Sequence, residues 1–265
     1  MSKRKADDAI EAANKRGREA GLAAVKSAKQ RGRTILNHGA GTMPVDAPAP
    51  HGGLRYSLLT DEAGAPAPSY VDAHDGNKDD TGKLVFPGTP EFRPSLTPAE
   101  AIAKGIFGGC YFNRRGGKAG IFGREVDIDY DEFPSSWFEG VDESYYRSRK
   151  YVIATNAYGV KSGFGQKEWE AKGWIHARDP RGWFQWYCRF FLGRRSADDA
   201  RQIARWCACA SSRGRWRNQL CGAVVKASKR WDDPSVSPVI RQTLLHWAYE
   251  LSEADFQEWR EAKQR

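Results

Sequence analysis

Nine consecutive residues, Trp183 to Phe191 ("WFQWYCRFF"), carry six aromatic rings, and Arg181, Arg189, Arg194 and Arg195 lie within or beside them. A segment so rich in rings must either sit at the centre of a core or form a stacking surface, because an aromatic helix exposed on all sides does not stay in solution. Asp179 as a cap, Pro180 as first residue and Gly193 as stop predict a helix over this stretch. At about 100° per residue, Trp183, Phe184, Tyr187, Cys188, Phe190 and Phe191 share one arc, with Trp186 at its edge. Arg181, Gln185 and Arg189 fall in a narrow stripe on the other side. The projection predicts that the rings are core and that the stripe faces a partner. On that reading, removing Arg181 and Arg189 weakens binding and spares the fold.

All ten tryptophans lie after residue 130, and the segment before residue 90 has few large side chains. The expected organisation is a basic tail over 1–42, disordered or transiently helical, a Pro/Ala/Gly/Asp-rich linker over 43–90, and one folded domain over 91–265. Within the linker, Lys83 to Phe86 reads as a short docking strand. Asp72, His74, Asp75, Asp79 and Asp80 read as solvated turn residues rather than metal ligands.

Charge is strongly segmented: residues 1–36 carry +6, 37–173 carry −4, 174–230 carry +10 and 231–265 carry −3. No apolar run is long enough to span a membrane and the N-terminus lacks a signal-peptide core, so an intracellular protein is expected, nuclear if the host is eukaryotic. The five cysteines show no CxxC or Cys/His spacing, which argues against a disulfide framework or a zinc site.

The expected fold class is α+β, a small β-hairpin-based sheet followed by a mainly helical C-terminal half. Thr97, Pro98 and Glu100 spell a capping box for a helix over 98–104, stopped by Gly105. Ile106 to Phe112 reads as a strand, "NRRGGKAG" as a turn, and "IFGREVDIDYDEF" as the return strand, with further strand character at Tyr151 to Thr155. Helices are expected near 166–172, after Ser196, through "RWRNQLCGAVVKASKR", after Ser237-Pro238 and after Ser252.

On the return strand Asp127, Asp129 and Asp131 alternate with Val126, Ile128 and Tyr130, so three carboxylates share a face. They are weak candidates for catalytic or metal-binding residues, holding Mg²⁺ for phosphoryl chemistry, and otherwise form a solvent face. Cys110 and His176 offer a weaker nucleophile and base pair. His246 reads as a packed or surface histidine. No phosphate-binding glycine loop, GxSxG or HExxH motif is present.

The basic block supplies the candidate nucleic-acid-binding residues: Arg181, Gln185, Arg189, Arg194, Arg195, Arg201, Arg205, Arg213, Arg215, Arg217, Asn218, Lys226 and Lys229. Arginine, asparagine and glutamine on exposed helix faces beside a tight turn suit phosphate tracking and base reading. The favoured reading is a nucleic-acid-binding protein that uses this face and the basic tail, with no cofactor. One alternative is a divalent-metal-dependent enzyme acting on nucleic acid or a phosphorylated substrate, a nuclease or phosphotransfer type with Mg²⁺. Another is a structural or scaffold protein pairing with an acidic protein partner. A cleft bordered by both the acidic strand and the basic helices would favour phosphate chemistry, and separation of the two would favour binding alone.

Through "SLTPAEAIAKGIFGGCYF", "YGVKSG", "GWFQWYCRFFLGRR" and "DDPSVSPVIRQTLLHWAYEL", residues 92–251 resemble an uncharacterised protein family. The resemblance implies no activity, cofactor or site residue. It leaves the basic tail outside and supports a domain boundary near residue 90.

Overall fold

The computed structural model describes residues 68–113, 130–176 and 178–264, so the basic tail, "RRGGKAG", Asp127 and Asp129 lie outside the described residues. The class is mixed α+β and rich in helix, with a two-stranded antiparallel sheet. The sheet is not a hairpin. Strand β1 (Ser69–Tyr70) pairs with β2 (Arg194–Arg195), with Ser69 opposite Arg195 and Tyr70 opposite Arg194. Gly193 permits this closure: its φ is +91°, and a Cβ there would stand 2.1 Å from the Val71 carbonyl oxygen.

Packing begins before residue 91. Leu84 and Phe86 are buried, and His74 stacks on Phe191 with ring centroids 5.2 Å apart. Lys83 to Phe86 docks as loop, with Lys78 and Leu84 forming only an isolated bridge. The linker boundary expected at residue 90 is therefore too late for residues 68–90. Their polar, proline-rich composition hides a few apolar anchors.

Helix α1 (Pro98–Lys104) has the predicted capping box. The Glu100 amide donates to Thr97 Oγ1 at 3.2 Å and the Thr97 amide donates to Glu100 Oε2 at 2.7 Å. The expected strand at Ile106 to Phe112 is absent. Phe107, Gly108 and Gly109 all have positive φ (51°, 59° and 73°) and form a 3₁₀ turn, because glycines permit a coil that tucks under Ser144 and Tyr151. The return strand is described only at its end, where Tyr130–Glu132 is another 3₁₀ turn with Asp131 exposed and Glu132 buried. Ile153–Thr155 is likewise a 3₁₀ turn, not a strand.

Helix α2 (Gln166–Ala171) precedes the ring-rich helix α3 (Trp183–Phe191). α3 starts later than expected, with Gly182 in the cap position and the Asp179 carboxylate used elsewhere. All nine of its residues are buried. Phe92 sits among Trp183, Trp186, Tyr187, Phe190 and Trp206 at centroid distances of 5.3 to 6.4 Å. Each such ring contributes about 2 kcal/mol before entropy, so α3 is the central packing element. Its polar handles are satisfied: Tyr187 Oη donates to the Leu96 carbonyl at 2.6 Å and Trp186 Nε1 to Asp199 at 2.9 Å.

Helices α4 (Asp199–Ala210) and α5 (Arg215–Ala227) pack on each other across a short turn. Helix α6 (Pro238–Leu245) packs on α5, and α7 (Glu253–Gln264) closes the described chain. Among the described residues, no helix is long and apolar enough to cross a membrane.

Candidate nucleic-acid interface

The basic block divides into two sets of cations with different surroundings. The first set is buried. Arg189 pairs with Glu132 through Nε and with Asp179 through Nη1 at 3.0 Å, and Arg194 reaches the other Asp179 oxygen at 2.6 Å. Gln185 Nε2 donates to Glu132 at 3.3 Å. Arg181 donates to the carbonyls of Tyr111 and Asn113 at 2.5 and 3.1 Å. The exposed stripe expected of Arg181, Gln185 and Arg189 is thus a buried polar network. A helix projection shows which residues share a side, but it cannot show what covers that side. Here the cover is Glu132 and Asp179, one distant in sequence and the other read as a cap.

Burial opposes ionisation of Asp179, yet Arg194 and Arg189 outweigh it and hold the carboxyl below the usual aspartate range. For Glu132 burial wins over Arg189 and pushes the carboxyl up.

Other predicted contacts are also internal. Arg217 is buried, donating to the Asp255 carbonyl at 2.9 Å and pairing with Asp255 and Glu258. Asn218 donates to the carbonyls of Ser212 and Gly214 and accepts from Trp259 Nε1 at 2.8 Å. Arg195 donates to the Phe190 and Arg194 carbonyls, each at 2.8 Å, and Arg201 is held by Asp198. Arg213, Lys226 and Lys229 are exposed, the last 3.8 Å from Asp233.

The second set of cations lines a cleft of about 610 Å³. It opens between the loop at Lys161–Phe164, α2 and the segment after it, the start of α3, α4, the start of α5, and α6 with its C-terminal turn. Five of the tryptophans, Trp169, Trp174, Trp183, Trp216 and Trp247, form its walls with Phe164. Lys161, Lys172, Arg205 and Arg215 line it as well, together with Arg181 of the buried set, and among the described residues no aspartate or glutamate does. Of the basic block, Arg181, Arg205 and Arg215 border this cleft; Lys161, Lys172 and Trp169 join them from outside the block and Trp174 from its edge. Their signal was the "YGVKSGF" to "KGWI" stretch, which is aromatic and basic but lies mostly outside the +10 block.

Rings and cations touch along the cleft. Lys172 Nζ lies 4.0 Å from the Phe164 ring and 4.8 Å from the Trp174 ring. The Arg205 guanidinium lies 5.7 Å from Trp174 and 5.4 Å from Trp247, and that of Arg215 lies 4.7 Å from Trp216. Burial lowers Arg205 to about 10, which leaves it charged at neutral pH. Lys161 and Arg215 are exposed and make no ion pair among the described residues. Helix α5 starts at this rim without a side-chain cap, so its first-turn amides also favour an anion there.

Of the enzymatic candidates, Asp127 and Asp129 lie outside the described residues. Among the described residues no group of His, Cys, Asp and Glu is arranged to hold a metal ion. Asp131 does not line the cleft. No hydrogen bond joins Cys110 to His176: the thiol donates to the Phe107 carbonyl and burial raises its pKa, opposite to what a nucleophile needs. Searches against protein-family models, curated proteins and solved structures found no match to this chain.

Proposed function

We propose that the protein binds nucleic acid, engaging an unpaired, single-stranded segment in the aromatic and basic cleft. The observation that carries this reading is a lining of five tryptophans and five cations with no carboxylate among the described residues. Indole faces accept bases of any sequence, and lysine and arginine beside them meet the phosphates. A base stacked on an aromatic side chain contributes about 1–3 kcal/mol. The basic tail, with ten lysines and arginines in residues 1–36, adds contacts that depend on charge alone.

Titrating the full chain with a short single-stranded oligonucleotide, while following tryptophan fluorescence, tests the proposal. Quenching is expected, with an affinity that falls steeply as salt rises and exceeds that for a duplex of the same length. Equal duplex affinity with no quenching, or no binding at low salt, contradicts it.

A further inference from the structure

The cleft contains one polar group whose direction is fixed and which no neighbour uses. His246 is buried at the C-terminal end of α6, its ring stacked on Phe107 with centroids 4.2 Å apart and planes 17° apart. Its Nε2 lies 3.1 Å from the Phe107 amide nitrogen, which can only donate. It also lies 3.2 Å from Gln242 Nε2. That Gln242 atom is the amide nitrogen, because Gln242 Oε1 accepts from the Tyr158 amide at 3.1 Å while Nε2 donates to the Gly105 carbonyl at 3.1 Å. Two donors therefore face Nε2, so Nε2 carries a lone pair and the ring proton resides on Nδ1. Nδ1 makes no hydrogen bond among the described residues, and Gly163 of the cleft lining lies beside it. A Cβ at Gly163 would stand 3.5 Å from it, so the glycine leaves room beside the N–H.

We infer that the cleft is a nucleotide-sized pocket in which one base stacks on the tryptophan walls and presents an acceptor on its edge to His246 Nδ1–H. The inference rests on the nucleic-acid reading above and makes it narrower. A volume of about 610 Å³ is that of a small-molecule site, not of a groove that tracks many residues of a strand. It has room for a base with its sugar and phosphate. Lys161 and Arg215, the exposed cations of the lining, are the groups that meet the phosphate. A neutral, immobile N–H suits a carbonyl oxygen or ring nitrogen of a base, such as the N7 of a purine, and contributes nothing to phosphate attraction. The ligand class is therefore a nucleoside phosphate, free or as an exposed nucleotide of a strand.

The test uses the full chain labelled with ¹⁵N at histidine, titrated separately with each of the four nucleoside monophosphates and with inorganic phosphate. The free protein is expected to show His246 as the Nδ1–H tautomer. At least one nucleotide is expected to quench tryptophan fluorescence with a Kd on the order of 1 mM or below. The same nucleotide should shift the Nδ1 resonance and displace a labelled single-stranded oligonucleotide, while phosphate alone leaves Nδ1 unmoved. If the oligonucleotide binds but no mononucleotide quenches or competes, the pocket inference fails and the broader function stands. If phosphate competes as well as every nucleotide, or Nδ1 is unmoved by a nucleotide that binds, reading of the base edge is wrong. If neither nucleotides nor oligonucleotides bind, both readings fall.

Discussion

Two arginine- and aromatic-rich regions of this protein differ in what surrounds their cations. Around α3, Arg189 and Arg194 are buried against Glu132 and Asp179. In the cleft, Lys161 and Arg215 stand exposed beside rings, and no carboxylate answers them. The number and density of cations do not separate the two. What separates them is the placement of the acids: the buried network recruits an acid from 57 residues away, while among the described residues no acid lines the cleft. A guanidinium with a buried carboxylate partner is structural. One left without a partner on an accessible wall is available for a ligand.

The largest effect expected from breaking this contrast is at Asp179. Asp179→Ala leaves two buried guanidinium groups without their shared anion and should cost about 3–5 kcal/mol, read by urea unfolding. Arg189→Ala should destabilise comparably, since it strands Glu132. A variant at either position that unfolds like the parent would show that the network carries no weight.

Acid should weaken the protein in a defined direction. Asp179 and Asp255 are held below the usual aspartate range, in each case because nearby cations and hydrogen bonds outweigh burial. A depressed folded pKa gives stability that is present above the unfolded value of about 3.9 and is lost as pH falls through the folded value. Glu132, raised by burial, works in the opposite sense, whereas Glu100, held down against burial by Lys78 and the Thr97 amide, adds to the loss. Urea midpoints at pH 7 and pH 3 should differ accordingly in the full chain, and the difference should shrink in Asp255→Asn. An unchanged difference in that variant would remove Asp255 from the account.

The smallest effect is expected at Arg201, which is held by Asp198 and does not line the cleft. Arg201→Ala should change single-strand affinity by less than about twofold, as befits an exposed, paired charge. A larger loss in a filter-binding assay would extend the interface along α4.

Much of the helical half was legible in the sequence, because its signals are local. Thr97, Pro98 and Glu100 cap α1 as their spacing requires, and the rings of α3 form the core that their shared arc predicts. The strand expected at Ile106 to Phe112 is instead a turn. Gly108 and Gly109 suit a bulged strand or a coil equally well, and contacts to Ser144 and Tyr151, far along the chain, choose the coil. The candidate site was half legible. Arg205 and Arg215 were visible as basic residues on helix faces. The burial of Arg181, Gln185, Arg189, Arg194 and Arg217 depends on Glu132, Asp179 and Asp255 folding over them, which no periodicity encodes. Lys161, Trp169 and Trp174 lie in one stretch of chain and His246 far beyond it, and only the fold brings them to one cleft.

The most direct test of the division between structural and available cations is the double variant Lys161→Ala/Arg215→Ala, measured for single-strand affinity and for melting temperature in the same buffer. The account predicts an affinity loss of about tenfold or more, with stability unchanged within about 0.5 kcal/mol. An unchanged affinity, or a loss of stability as large as that of Asp179→Ala, would contradict it.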